Sequence, residues 1–251
     1  MKNIKLTLQY DGSCFHGWQV QPNAPSVEET LKAAIDRILH EKVSLQSCSR
    51  TDAGVHALMF CCNFKTDADV DPYKFKRSLN GVLPPAVAVT GCDEAPLSFH
   101  ARYDCKGKRY LYQIWNAPQR NPFLLQRALH VPGKLDDALL DREAKAFVGT
   151  HDFAAFCAAG SSVKTTVRTV FDCGVRRKGE LVTFSVSGDG FLYNMVRIMV
   201  GTLLEINAGK LPPGCIPQIL VSRDRSRAGM TAKAEGLFLE KVFYKEDDAC
   251  G

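Results

Sequence analysis

Apolar and polar residues alternate through residues 4–10, with Ile4, Leu6, Leu8 and Tyr10 in one set and Lys5, Thr7 and Gln9 in the other. That period of two predicts a half-buried strand, and Asp11 with Gly12 predicts the turn that ends it. The period then lengthens. Val27, Leu31, Ala34, Ile35, Ile38 and Leu39 recur at helical spacing behind Ser26, and Glu29, three residues after the serine, completes a capping box. Strands are predicted over 43–48, 59–64 and 87–92, with a short helix that opens at Asp71 and Pro72 and stops near Asn80 and Gly81.

The second half continues the mixture. A strand is predicted over 108–115, a helix over 137–148, strands over 167–175 and 181–187, and a buried helix over 192–207. A short helix near 215–221 and a last strand over 237–244 complete the chain. Strands and helices mix without a strict strand-helix-strand rhythm, and no repeat of short period is visible. The pattern therefore predicts an α+β fold of two mixed domains, each a mainly antiparallel sheet covered by helices. A boundary falls near Asp104, where a new strand starts and the charge balance changes, giving an N-terminal domain of residues 1–104 and a C-terminal domain of 105–251.

Composition narrows the class. A chain of 251 residues with 45% hydrophobic and 24% charged positions has ample material for a packed core. The opening MKNIKLTLQYDG lacks the apolar run of a signal peptide. Residues 191–206, the most apolar later run, contain Asn194, Arg197 and Glu205 and are too short and too polar to cross a bilayer. A cytoplasmic, membrane-free protein is expected. Its ten cysteines are scattered with no C-x-x-C pair, so no metal site is expected and the thiols read as reduced and mostly buried.

Charge is uneven. Residues 1–104 carry 11 Lys and Arg against 12 Asp and Glu, whereas residues 105–251 carry 21 against 15. The excess gathers in Lys106, Lys108 and Arg109, in Arg176, Arg177 and Lys178, and in Arg223, Arg225 and Arg227. Such clusters are often merely solvated faces, yet they are also what tracks a phosphate backbone.

One stretch carries concentrated chemistry. SRTDAGVHA, residues 49–57, sets an arginine, an aspartate, a glycine and a histidine between two apolar strands. In extended chain Arg50 and Asp52 would share a side, and a guanidinium there would hold the carboxylate ionised, as a nucleophile requires. On chemistry and spacing alone, a capped turn with Arg50 as its surface partner is the better explanation of the stretch. His56 reads as a hydrogen-bonded structural residue.

The stretch RTDAGVHA resembles the signature of the tRNA pseudouridine synthase A family. So do YDGSCFHGWQVQP at 10–22, SFHARYDCKGKRYLYQI at 98–114 and GTHDFAAFCAAGSSVKTTVRT at 149–169. GDGFLYNMVRIMVGTLLEI at 188–206 and DRSRAGMTAKAEGLFLEKVFY at 224–244 extend the series, in order, over nearly the whole chain. The resemblance implies an RNA-binding cleft between the two domains. It implies Asp52 as the catalytic aspartate, Arg50 beside it, and Arg197 as a basic residue reaching the carboxylate. It further implies Tyr110 packed on the target uracil and Leu237 as an apolar contact of that base. Ser49 stands where the family usually has glycine and Lys233 where it usually has proline.

The reaction so implied conserves atoms: the N1 to C1′ bond breaks, uracil turns, and C5 bonds to C1′, with no cofactor required. The carboxylate either adds to C6 or traps C1′. The implied substrate is tRNA, at positions 38 to 40 of the anticodon arm, and the implied assembly is a homodimer. Two rival readings fit the same residues: a catalytically silent tRNA-binding protein of the same fold, and a uracil glycosidase.

Overall fold

The structure is a computed structural model that describes residues 1–160 and 163–245. Ser161 and Ser162 of the block at 149–169, and Cys250 among the cysteines, lie outside the described residues. By contact the chain forms two compact units, one of Met1–Lys106 with Phe238–Tyr244 and one of Gly107–Leu237.

In the first unit, β1 (Lys2–Tyr10) leads through α1 (Val27–Leu39) and the two-residue β2 (Gln46–Ser47) to β3 (His56–Thr66). Then come α2 (Pro72–Val82) and β4 (Val87–Ala95). β1 lies between β4 and β3, antiparallel to both, and β2 is antiparallel to β3. The helices start where sequence predicts. Ser26 Oγ accepts from Glu29 N at 3.2 Å, and Asp71 Oδ1 accepts from Tyr73 N and Lys74 N at 3.0 and 3.1 Å. α1 buries Val27, Leu31, Ala34 and Ile35; each fully buried Leu or Ile contributes about 1.5–3 kcal/mol.

The strand predicted over 43–48 shrinks to Gln46–Ser47, because Val43 N is held by Asp36 of α1 at 3.3 Å and not by a sheet neighbour. β3 is longer than predicted, since His56 and Ala57 pair in parallel with Phe238 and Leu239 of the last strand. That pairing explains why Phe238–Tyr244, distant in sequence, belongs with the first unit.

The second unit runs from β5 (Gly107–Trp115) and the short β6 (Leu129–His130) to α3 (Asp137–Ala144) and β7 (Gly149–Asp152). β8 (Val167–Lys178), β9 (Leu181–Gly188), α4 (Met195–Asn207) and α5 (Ile216–Ser222) follow, and β10 (Leu237–Phe243) leads back to the first unit. β5, β9, β8 and β7 form an antiparallel series in that order, with β6 parallel to β5. Both units are thus α+β, with mainly antiparallel sheets and helices. β8 runs to Lys178, past the predicted end, because Gly179 at φ 59° closes a tight hairpin with Lys178 opposite Leu181. The predicted helix 137–148 tightens to a 3-10 turn at Lys145–Phe147, and the one predicted from 192 starts at Met195.

Cys48, Cys61, Cys62 and Cys173 are buried, Cys14 is exposed, and the other described cysteines are half-buried, so the thiols are less uniformly buried than expected. Burial pushes the thiols of Cys61 and Cys92 up to about 11, which keeps them protonated near neutral pH.

α4 packs on its neighbours through a close approach. A Cβ at Gly201 would lie 1.7 Å from Met230 O, and one at Gly229 would lie 2.6 Å from Thr202 Cα. Helix propensity alone favours alanine over glycine by about 1 kcal/mol. Overpacking typically costs about 1–3 kcal/mol, so the contact outweighs the propensity. We expect Gly201→Ala to lower the stability measured by urea unfolding. Gly81→Ala, in α2 with nothing within 4 Å of its Cβ position, should raise it by about 0.5–1 kcal/mol.

Candidate active site

Asp52 sits in a loop between β2 and β3 that has no regular secondary structure before its closing turn. Val55 N donates to Asp52 O at 3.2 Å, and Gly54 at φ 78° occupies the third position of that turn. A positive φ there is the requirement of a type II turn, which glycine meets without strain.

The loop is held from outside by residues 10–18, and the contact is main chain on main chain. Trp18 N donates to Thr51 O at 3.1 Å, and Gly54 N donates to Phe15 O at 3.3 Å. A Cβ at Gly12 would fall 2.0 Å from Val55 O, and one at Gly17, whose φ is 90°, would fall 2.5 Å from Thr51 O. Only glycine permits these approaches. Side chains complete the seam: Tyr10 and Thr51 hydroxyls lie 2.8 Å apart, and Trp18 stacks on Phe60 with ring centroids 4.1 Å apart.

Thr51 is buried, Asp52 half-buried and Arg50 exposed. The neighbours of Thr51 are thus the more accessible ones, as extended chain dictates. The Arg50 guanidinium forms no hydrogen bond or ion pair among the described residues. Ser49 O accepts from Ser47 Oγ at 3.1 Å, and Ser49 itself is half-buried.

His56 is structural, as expected. Its ring is 2% exposed and stacks on Phe238 at 4.6 Å. Nδ1 lies 3.1 Å from Gly12 N and 3.2 Å from Asp11 Oδ1, and it cannot be both acceptor and protonated partner. Asp11 Oδ1 already accepts from Ser13 N and Oγ, at 3.0 and 2.6 Å, so Nδ1 is assigned as acceptor of the Gly12 N–H.

The other candidates lie in the second unit. Tyr110 is a buried residue of β5, opposite Val186, with Phe191 edge-on at 4.9 Å. Leu237 is buried at the start of β10. The nearby Lys233 side chain is exposed, while its carbonyl accepts from Tyr112 Oη at 2.7 Å. Burial pushes the Tyr112 phenol well above its ordinary range, so it acts as a donor and not as a base.

Arg197 lies in the first turn of α4 and is only half-buried. Its Nε donates to Ala232 O and its Nη1 to Asn194 Oδ1, both at 2.7 Å, while Ala232 N donates back to Arg197 O at 3.0 Å. Phe191, Asn194 and Ala232 were not singled out from sequence; their signal was their place inside the quoted blocks at 188–206 and 224–244.

The basic clusters divide by use. Arg177 is consumed by Asp137, Asn116 and Leu135 O, and this guanidinium holds the Asp137 carboxyl below its ordinary value. Arg223 pairs with Asp152 at 2.9 Å, and Arg225 bonds Ala228 O and Thr231. Arg176, Lys178 and Arg227 remain as exposed cations.

Residues 7–104 and 144–245 match the tRNA pseudouridine synthase family. The chain belongs to that family. It is 49% identical over 244 residues to the tRNA pseudouridine synthase A of Acetivibrio thermocellus, an alignment covering 97% of this chain and 100% of the relative. The proteins of the same name from Geotalea uraniireducens and Clostridium acetobutylicum are 46% and 45% identical, each over 97% of this chain and 100% of their own length. Family membership makes the chain an enzyme of the isomerase class.

The seam around Gly12 generates a test. Gly12→Ala forces its new Cβ into Val55 O, and we expect a loss of about 1–3 kcal/mol in urea unfolding. Arg50→Ala, at an exposed and unbonded position, should stay within about 0.5 kcal/mol of wild type.

Proposed function

We propose that Asp52 is the nucleophile with which this tRNA pseudouridine synthase isomerises uridine, at positions 38 to 40 of the anticodon arm. The observation that carries the proposal is the mounting of Asp52. Its loop is pinned by main-chain bonds at Thr51 and Gly54 while the carboxylate itself stays only half-buried. A nucleophile needs this combination of fixed backbone and accessible side chain.

The chemistry needs little else. Attack at C6 or at C1′ forms a carbon–oxygen bond to Asp52 and is followed by rupture of the N1 to C1′ bond; the uracil turns, C5 bonds to C1′, and the bond to Asp52 breaks to return the carboxylate. The C5 proton then leaves by way of the Tyr110 hydroxyl, whose oxygen accepts it as its own proton passes on to water. Arg197 serves as the cation that keeps Asp52 ionised, Leu237 as the apolar contact of the uracil, and exposed Arg50 as a contact for RNA phosphate. The target nucleotide leaves its stack to reach the carboxylate, which suits an aromatic platform with basic surroundings. Among the described residues no helix is long and apolar enough to cross a membrane, which fits the cytoplasmic setting we assign. We assign a homodimer as the working assembly; a mass of twice 27.7 kDa in solution supports it, and a monomer at working concentration contradicts it.

Purified enzyme given tRNA tritiated at uracil C5, without added cofactor, is expected to release tritium. Asp52→Asn should reduce release by more than roughly 1000-fold. Equal release by both proteins removes Asp52 from the mechanism. No release from any tRNA identifies a silent binding protein, and free uracil identifies a glycosidase. Arg197→Ala should lower turnover more than tRNA affinity; lost affinity with unchanged turnover contradicts its role.

A further inference from the structure

The start of α4 differs from the start of every other long helix in the chain. Ser26, Asp71 and Asp136 precede α1, α2 and α3 with extended backbone, and each side chain accepts from a main-chain N–H two or three residues on. Asn194 precedes α4 at φ 60° and ψ 8°, and its side chain makes no such bond. Asparagine is one of the few residues other than glycine that tolerate this left-handed backbone.

The side-chain oxygen has been redirected. Asn194 Oδ1 accepts from Nη1 of Arg197 at 2.7 Å, and Arg197 is the third residue of the helix. Its main-chain N–H is what an ordinary cap would engage, as Ser26 engages Glu29 and Asp136 engages Leu139. A helix cap has been exchanged for a hold on one guanidinium.

A second hold comes from the segment before β10. Ala232, which is buried, accepts from Nε of Arg197 at 2.7 Å and donates its own N–H to Arg197 O at 3.0 Å. That segment is fixed on α4 in turn. Gly229 N donates to Thr202 Oγ1 at 2.9 Å, and Met230 O lies where a Cβ of Gly201 would be. A guanidinium is a rigid planar fork, so acceptors on two of its nitrogens set both its position and the rotation of its plane.

We propose that Asn194 is a positioning residue for Arg197, locking the orientation of the guanidinium before substrate binds. This rests on the role given to Arg197 above. Asn194→Gly preserves the left-handed turn and removes only the acceptor, so a purely structural role predicts no loss in that variant.

The expected result is a fall in turnover of roughly 10-fold or more, with tRNA affinity held within about twofold. The double variant with Arg197→Ala should be no slower than Arg197→Ala alone. Rotation about the Cζ–Nη bonds of Arg197, read by NMR on enzyme labelled with 15N-arginine, should be slow in wild type and faster in Asn194→Gly. Wild-type turnover in Asn194→Gly, unchanged rotation, or additive losses in the double variant overturns the proposal. If Arg197→Ala is slow while Asn194→Gly is not, this proposal alone fails. If Arg197→Ala turns over normally, the role of Arg197 fails and this proposal fails with it.

Discussion

The main chain at Gly12 and Gly17 comes so near the carbonyls of Val55 and Thr51 that no side chain can stand between them. The arrangement of the first unit depends on this contact. Residues 49–55 have no strand or helix to satisfy their polar groups, and the chain at 15–18 does so in its place. The bonds that hold the loop at Thr51 and Gly54 run from main chain to main chain. β3 can therefore begin at His56 immediately after the turn, with Trp18, Phe60 and Tyr10 packed behind it.

The second unit uses the same device for another purpose. Gly201 and Gly229 let the chain at 228–232 lie directly on α4, and this closeness brings the Ala232 carbonyl to Arg197. In both units glycine brings backbone against backbone, and the charged side chain of interest emerges beside the contact. Rigidity of this kind has a chemical use, because a reacting group displaced by about 1 Å loses a large part of its rate.

Electrostatics is shared out by the same logic. Arg177, Arg223 and Arg225 lie in clusters that suggested a phosphate track, yet each bonds another part of the chain, Arg223 while still exposed to solvent. Arg176, Lys178 and Arg227 stay exposed. Neighbours in sequence thus divide between holding the fold and facing solvent, and only the positions of Asp137, Asp152 and Thr231 decide which does which.

What the chain announces by itself is whatever is set within a few residues. The caps at Ser26 and Asp71, the helical spacing from Val27 to Ile35, the alternation through β1 and the mixed α+β class all arise from local geometry, and the periods of helix and strand write them into the sequence. The series of family-like blocks likewise marked Asp52 without any coordinates. Long-range pairing decided the rest. β2 shrank because α1 holds Val43, and β3 lengthened because Phe238 and Leu239 return beside His56 and Ala57. Spacing shows which residues are near in the chain, whereas a hydrogen bond depends on which residues the folded chain brings within about 3 Å of one another.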